Sequence, residues 1–169
     1  TPVLGVVRVD GETSFVMADI PGLIEGASEG AGLGHSFLRH IERTRVLVHV
    51  LDISGSENRD PLSDFELINN EIYTYDPELK KLPMIVVANK MDMPNAQENL
   101  DRFNQKYGKT YKVIPMTTII HEGAEELLET LVATLSDLPE VQPVEYTPYV
   151  LDKPEEETYE IQVLEDGVF

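Results

Sequence analysis

Asp19 stands at the end of a short apolar run, Ser14-Phe15-Val16-Met17-Ala18, and is followed by Ile20, Pro21 and Gly22 and then by a stretch dense in glycine. An acid at a strand end with Pro-Gly behind it suits a magnesium-phosphate site. The carboxylate faces a hydrated cation, and a glycine N–H approaches a terminal phosphate oxygen with no side chain in the way. An ordinary strand-to-helix turn has the same composition. A second constellation separates the two readings. Asn89-Lys90-Met91-Asp92 closes the apolar run Met84-Ile85-Val86-Val87-Ala88, about seventy residues further on, and ligands of open α/β sheets gather at the carboxyl ends of strands. Asp92 can accept from the ring N–H and the exocyclic amine of guanine, a donor pair that adenine does not present. Lys90 can lay its methylene stem over the purine face, and Asn89 can tie adjacent loops together. The ordered pair of motifs points to a module that binds guanine nucleotide with Mg2+.

The elements that must position these residues are legible as alternating periods. Val6, Val7 and Val9 lie before Asp10-Gly11 and Phe15 to Ala18 after it, which predicts a hairpin. Val46 to Leu51 is a nearly continuous apolar run, as in a parallel strand covered on both faces. Asp60-Pro61 is a cap and first-turn pair, with Phe65, Ile68, Ile72 and Tyr75 following at helical spacing. Leu100, Phe103 and Tyr107 mark another helix, Val113, Ile114 and Met116 another strand, and Ala124, Leu128, Leu131 and Leu135 a closing helical stripe. Phe37, Leu38 and Ile41 predict one more helix after the glycine stretch. Strands alternating with helices predict a three-layer α/β fold with a mainly parallel sheet.

Composition bounds the rest. A chain of 169 residues with 41% hydrophobic content is large enough for a real core. It has no apolar run long enough for a transmembrane span. The absence of cysteine excludes disulfides and thiolate metal sites and fits a cytoplasmic protein. The net charge of −18 is uneven: from His121 to Phe169 fourteen Asp/Glu face only Lys153. Such a tail repels phosphate backbones, which argues against DNA as a partner, and reads as a solubilising face or linker. His35, Arg39, His40, Arg43 and Arg45 form the basic cluster, read either as a solvated helix face or as a contact with RNA.

The segment Asp19 to Asp52, DIPGLIEGASEGAGLGHSFLRHIERTRVLVHVLD, resembles the switch II region and following strand of the bacterial Obg GTPases nearly residue for residue. The resemblance continues through Ala88–Pro94 and covers most of residues 1–138. It implies a Ras-like GTPase domain that hydrolyses GTP to GDP and phosphate. Within it, Asp19 would hold Mg2+ through water and the Gly22 N–H would meet the γ-phosphate, with Ile20 and Pro21 beside them. Asn89, Lys90, Met91 and Asp92 would read the base, and Thr117, Thr118 and Ile119 would stand where the family has a Ser-Ala loop whose backbone contacts the base oxygen. Implied partners are guanine nucleotide and the large ribosomal subunit, in whose assembly the family acts, with a link to the stress response. The full-length protein would be a cytoplasmic monomer.

The sequence departs from the expected set in two respects. Nothing in it matches G-x-x-x-x-G-K-[ST], the loop that binds the α and β phosphates. The resemblance places that loop upstream of Thr1, so residues 1–138 are expected to be a GTPase domain incomplete at its N-terminal side and inactive alone. Residues 139–148 then read as a linker and 149–169 as the start of a small C-terminal domain. In addition, Leu23 follows Gly22 where many GTPases carry a water-orienting glutamine, and it cannot hydrogen-bond a nucleophile. Catalysis must then rest on other groups, and a rival reading is a slow nucleotide-state switch whose binding matters more than its turnover. Because the missing phosphate-loop strand would lie between them, no backbone pairing is expected between the strand ending at Asp19 and Val46–Leu51.

Overall fold

The computed structural model describes residues 3–9, 11, 13–19, 44–56 and 58–139. The expectations for Ile20, Pro21, Gly22 and Leu23, for the helix around Phe37, for the basic residues up to Arg43 and for residues 140–169 lie outside them.

β1 (Leu4–Arg8) and β2 (Ser14–Ala18) pair antiparallel, with Val6 opposite Val16 and Val7 opposite Phe15. The Val9 N–H donates to the Thr13 carbonyl and the Asp19 N–H to the Val3 carbonyl, at 3.0 and 2.9 Å, so the hairpin is held at both ends. β3 (Leu47–Asp52), β4 (Met84–Asn89) and β5 (Lys112–Pro115) form a separate parallel sheet in the order β3-β4-β5. Among the described residues no backbone ladder joins β2 to β3.

Two helices fill the crossovers of the parallel sheet, α1 (Pro61–Tyr75) between β3 and β4 and α2 (Ala96–Tyr107) between β4 and β5, and α3 (Ala124–Asp137) follows β5. Asp60 caps α1 by accepting from the Ser63 N–H at 3.1 Å, and Pro61 takes the first turn, where a missing N–H costs nothing. Short 3-10 turns at Pro77–Lys81 and Thr118–Ile120 were not anticipated from the sequence.

The central strand β4 is buried along almost its whole length because helices cover both of its faces. On one face Met84, Val86 and Ala88 meet Phe65 of α1 and Leu100 and Phe103 of α2. On the other, Ile85 and Ile114 pack with Leu131 of α3, and Phe15 of the hairpin reaches this cluster. Phe65 is the hub of the larger core, with its ring centroid 5.0 Å from Phe103 at 83° and 4.9 Å from Tyr107. Truncating such a buried aromatic typically costs about 3–5 kcal/mol.

One strand departs from expectation. Leu47, His49 and Leu51 of β3 point into the larger core, but Val50 is 60% exposed. β3 is therefore covered on one face and only partly on the other. On the Val50 side, Val46 and Val48 are half-buried against the smaller cluster that includes Leu127 and Leu131 of α3, and that cover does not extend to Val50.

Candidate functional site

The exits of the three parallel strands are laced together by the backbone. The Ile53 N–H donates to the Asn89 carbonyl at 3.1 Å, Met116 N–H to Ala88 at 2.8 Å and Met91 N–H to Met116 at 3.2 Å. The Asn99 amide of α2 adds a donation to the Ile53 carbonyl at 2.9 Å. Every loop that the sequence singles out on this edge therefore springs from one rigid rim, which suits positioning of a ligand.

Asn89, Lys90, Met91 and Asp92 leave the end of β4. Asn89 Oδ1 accepts from both the Thr118 N–H at 3.2 Å and the Thr118 hydroxyl at 2.6 Å. With its oxygen occupied in this way, the Asn89 side chain presents its NH2 elsewhere. The expected loop-tying role of Asn89 is thus visible as a direct clasp on Thr118. Lys90 has a positive φ of 65°, uncommon for a residue with a side chain and typical of positions held in place by their surroundings. Its ammonium donates to Asp52 Oδ2 at 2.7 Å and to the Ser56 hydroxyl at 3.0 Å. Met91 is half-buried against the larger core, and Asp92 is exposed.

The loop after β5 is held on its own terms. Thr117 is buried and its N–H donates to the Glu122 carbonyl at 3.0 Å, while Ile119 is 83% exposed. The loop closes at Gly123, whose φ is +84° and where a Cβ would sit 2.3 Å from the Pro115 carbonyl oxygen. Only glycine fits there without a backbone shift.

Asp52 and Ser56 were not singled out from the sequence. Asp52 ends β3 directly opposite Asn89. Its Oδ1 accepts from the Ser54 N–H at 3.1 Å and the Ser54 hydroxyl at 2.6 Å, and its Oδ2 from Ser56 at 2.7 Å as well as from Lys90. Partial burial alone would raise its pKa, but the Lys90 ammonium and the two serine hydroxyls outweigh it and bring the carboxyl down to about 2. A parallel register between distant segments is needed to see this pairing; an acid at a strand end was the only trace of it in the sequence.

Asp19 lies exposed just beyond β2. Among the described residues no cluster of three or more acidic, histidine or cysteine side chains could hold a metal ion directly. Arg45, counted in the basic cluster, donates instead to the carbonyls of Leu135, Leu138 and Pro139 at 3.0–3.1 Å, closing the C-terminal end of α3.

Comparison with known proteins places this rim in a family. Residues 1–90 match the family described as 50S ribosome-binding GTPase. GTPase Obg of Halalkalibacterium halodurans is 49% identical over 100% of this chain and 41% of that protein. GTPase Obg of Caldanaerobacter subterraneus is 52% identical over 96% of this chain and 39% of that protein. The chain thus spans about two fifths of the length of these relatives. The solved structure of an Aquifex aeolicus Era variant bound to GDP·AlF4− superposes with a TM-score of 0.57 at 25% identity, covering 90% of this chain and 50% of that one. The chain belongs to the 50S ribosome-binding GTPase family and, within it, to the Obg GTPases.

Proposed function

We propose that this chain supplies the guanine-reading part of a GTP-hydrolysing protein that binds the large ribosomal subunit in the cytoplasm. The observation that carries the reading is the clasp between Asn89 and Thr118, at 3.2 and 2.6 Å, which gathers the Asn-Lys-Met-Asp turn and the loop after β5 at one rim. In this reading Asp92 accepts from the two guanine donors, the Lys90 stem covers the purine face, and the backbone of Thr117, Thr118 and Ile119 lines the base oxygen. The same reading assigns Ile20, Pro21 and the Gly22 N–H to the γ-phosphate. Asp19 orients a hydrated Mg2+, which would neutralise charge on the phosphates. Leu23 offers the attacking water no hydrogen bond, so turnover depends on groups beyond it.

The domain division carries over as part of the proposal: residues 1–138 as the GTPase portion, 139–148 as a linker and 149–169 as the start of a further domain. The reading is tested by phosphate release from GTP and ATP by the full-length protein, with and without Mg2+ and with and without large ribosomal subunits. Release from GTP alone, dependent on Mg2+ and accelerated by subunits, is expected. Equal release from ATP would contradict the assignment of Asp92. A slow rate that subunits leave unchanged, with tight nucleotide-dependent subunit binding, would favour the switch reading instead.

A further inference from the structure

We infer that Asp52 is a positioning residue for base binding, anchoring the Lys90 ammonium so that the lysine stem is held as one wall of the base site. The inference rests on the assignment of Lys90 to that site made above. Adjacent strands lie about 4.8 Å apart, and Asp52 and Asn89 are register partners at the ends of β3 and β4. Lys90 starts one residue past the end of β4, and its ammonium reaches Asp52 Oδ2 at 2.7 Å. The methylene stem must therefore run from β4 toward β3, across the rim from which Asn89 and Asp92 also emerge. A lysine left untethered would surrender several rotatable bonds on covering a purine; one already tied at its tip surrenders fewer.

The anchor is itself well held. Asp52 Oδ1 is occupied by Ser54, at 3.1 and 2.6 Å, which turns Oδ2 toward Lys90 and Ser56. The Ser56 hydroxyl lies 3.0 Å from the same ammonium, so among the described residues the tip meets both Asp52 and Ser56. The left-handed backbone of Lys90, with φ 65°, is what one expects of a residue whose direction is dictated by its surroundings.

This geometry also selects the test. Asp52→Asn keeps an oxygen for Ser54 and replaces Oδ2, the lysine's acceptor, with an NH2 donor. GDP affinity is measured by titration calorimetry for the full-length protein, for Asp52→Asn, for Lys90→Met and for the double variant. Each single change is expected to weaken GDP about tenfold, with the double variant no weaker than Lys90→Met alone, because Asp52 acts only through Lys90. If the two effects multiply to about a hundredfold, or if Asp52→Asn binds GDP like the parent while Lys90→Met does not, the positioning role is overturned and the base-site reading stands. If Lys90→Met binds GDP unchanged, the base-site assignment of Lys90 fails and takes the inference with it. Should Asp52→Asn not fold, Asp52→Ser carries the same comparison, since its hydroxyl can support the same turn without the charge.

Discussion

Asp92 is exposed beyond β4 and has no side-chain hydrogen bond among the described residues, so its carboxylate is available to a ligand. Replacing it with asparagine presents a donor where guanine also presents donors and where xanthine presents a carbonyl. Asp92→Asn in the full-length protein is expected to weaken GTP by about 2–4 kcal/mol, the scale of a charge-assisted pair, and to strengthen xanthosine triphosphate binding. Competition titration with the two nucleotides decides it, and unchanged GTP affinity would remove Asp92 from the site. His49 makes a different prediction. It is buried between β3 and α1, its ring centroid 4.9 Å from that of Phe65 and tilted by 36°, with Nδ1 bonded to Asn69 Oδ1 at 3.2 Å and Nε2 enclosed without a partner. Burial lowers its pKa from the ordinary 6.5 more than the Asn69 bond raises it. The unfolded chain therefore takes up a proton near pH 6.5 while the folded chain does not until lower pH. Stability associated with neutral His49 is complete above that pH and is lost as pH falls below it. Denaturant midpoints measured from pH 8 to 5 should fall more steeply for the parent than for His49→Leu; parallel curves would contradict the assignment.

Elements bring these residues together, and the loop after β5 is the most exacting of them. Gly123→Ala forces a Cβ to within 2.3 Å of the Pro115 carbonyl oxygen at a φ of +84°. The loop that carries Thr118 toward Asn89 must then shift. A loss of about 1–3 kcal/mol is expected in chemical denaturation, together with weakened GDP binding; a variant with parental stability and affinity would show that the loop adapts freely. Much at this scale was legible in the sequence. The short apolar run of residues 14–18, the Asp60-Pro61 cap and the helical stripe through Phe65 are local patterns and appear as local structure. The partial exposure of β3 was not, because an apolar run states what a strand tolerates and not what happens to cover it. The same limit applies to the site. Asn89, Lys90 and Asp92 were visible as a motif at a strand end, and the clasp of Asn89 on Thr118 follows from the expected loop-tying role. The tether of Lys90 to Asp52 was invisible, since it depends on the register of two strands whose pairing no local period encodes.

The described parts of the molecule form two sheets with unfinished edges. β2 is paired only with β1, and β3 only with β4, among the described residues. Unpaired strand edges recruit other strands, since their N–H and C=O groups seek partners. The 169-residue chain is therefore expected to self-associate as its concentration rises, measured by sedimentation velocity; a single monomeric species throughout the micromolar range would indicate that both edges are satisfied within the chain. What the rim of the parallel sheet recognises is decided by equilibrium titration of the full-length protein with GDP, ADP and xanthosine diphosphate under one set of conditions. GDP should bind at least about a hundredfold more tightly than either competitor, a difference of about 2.7 kcal/mol. ADP binding as tightly as GDP would contradict the claim that this rim reads guanine.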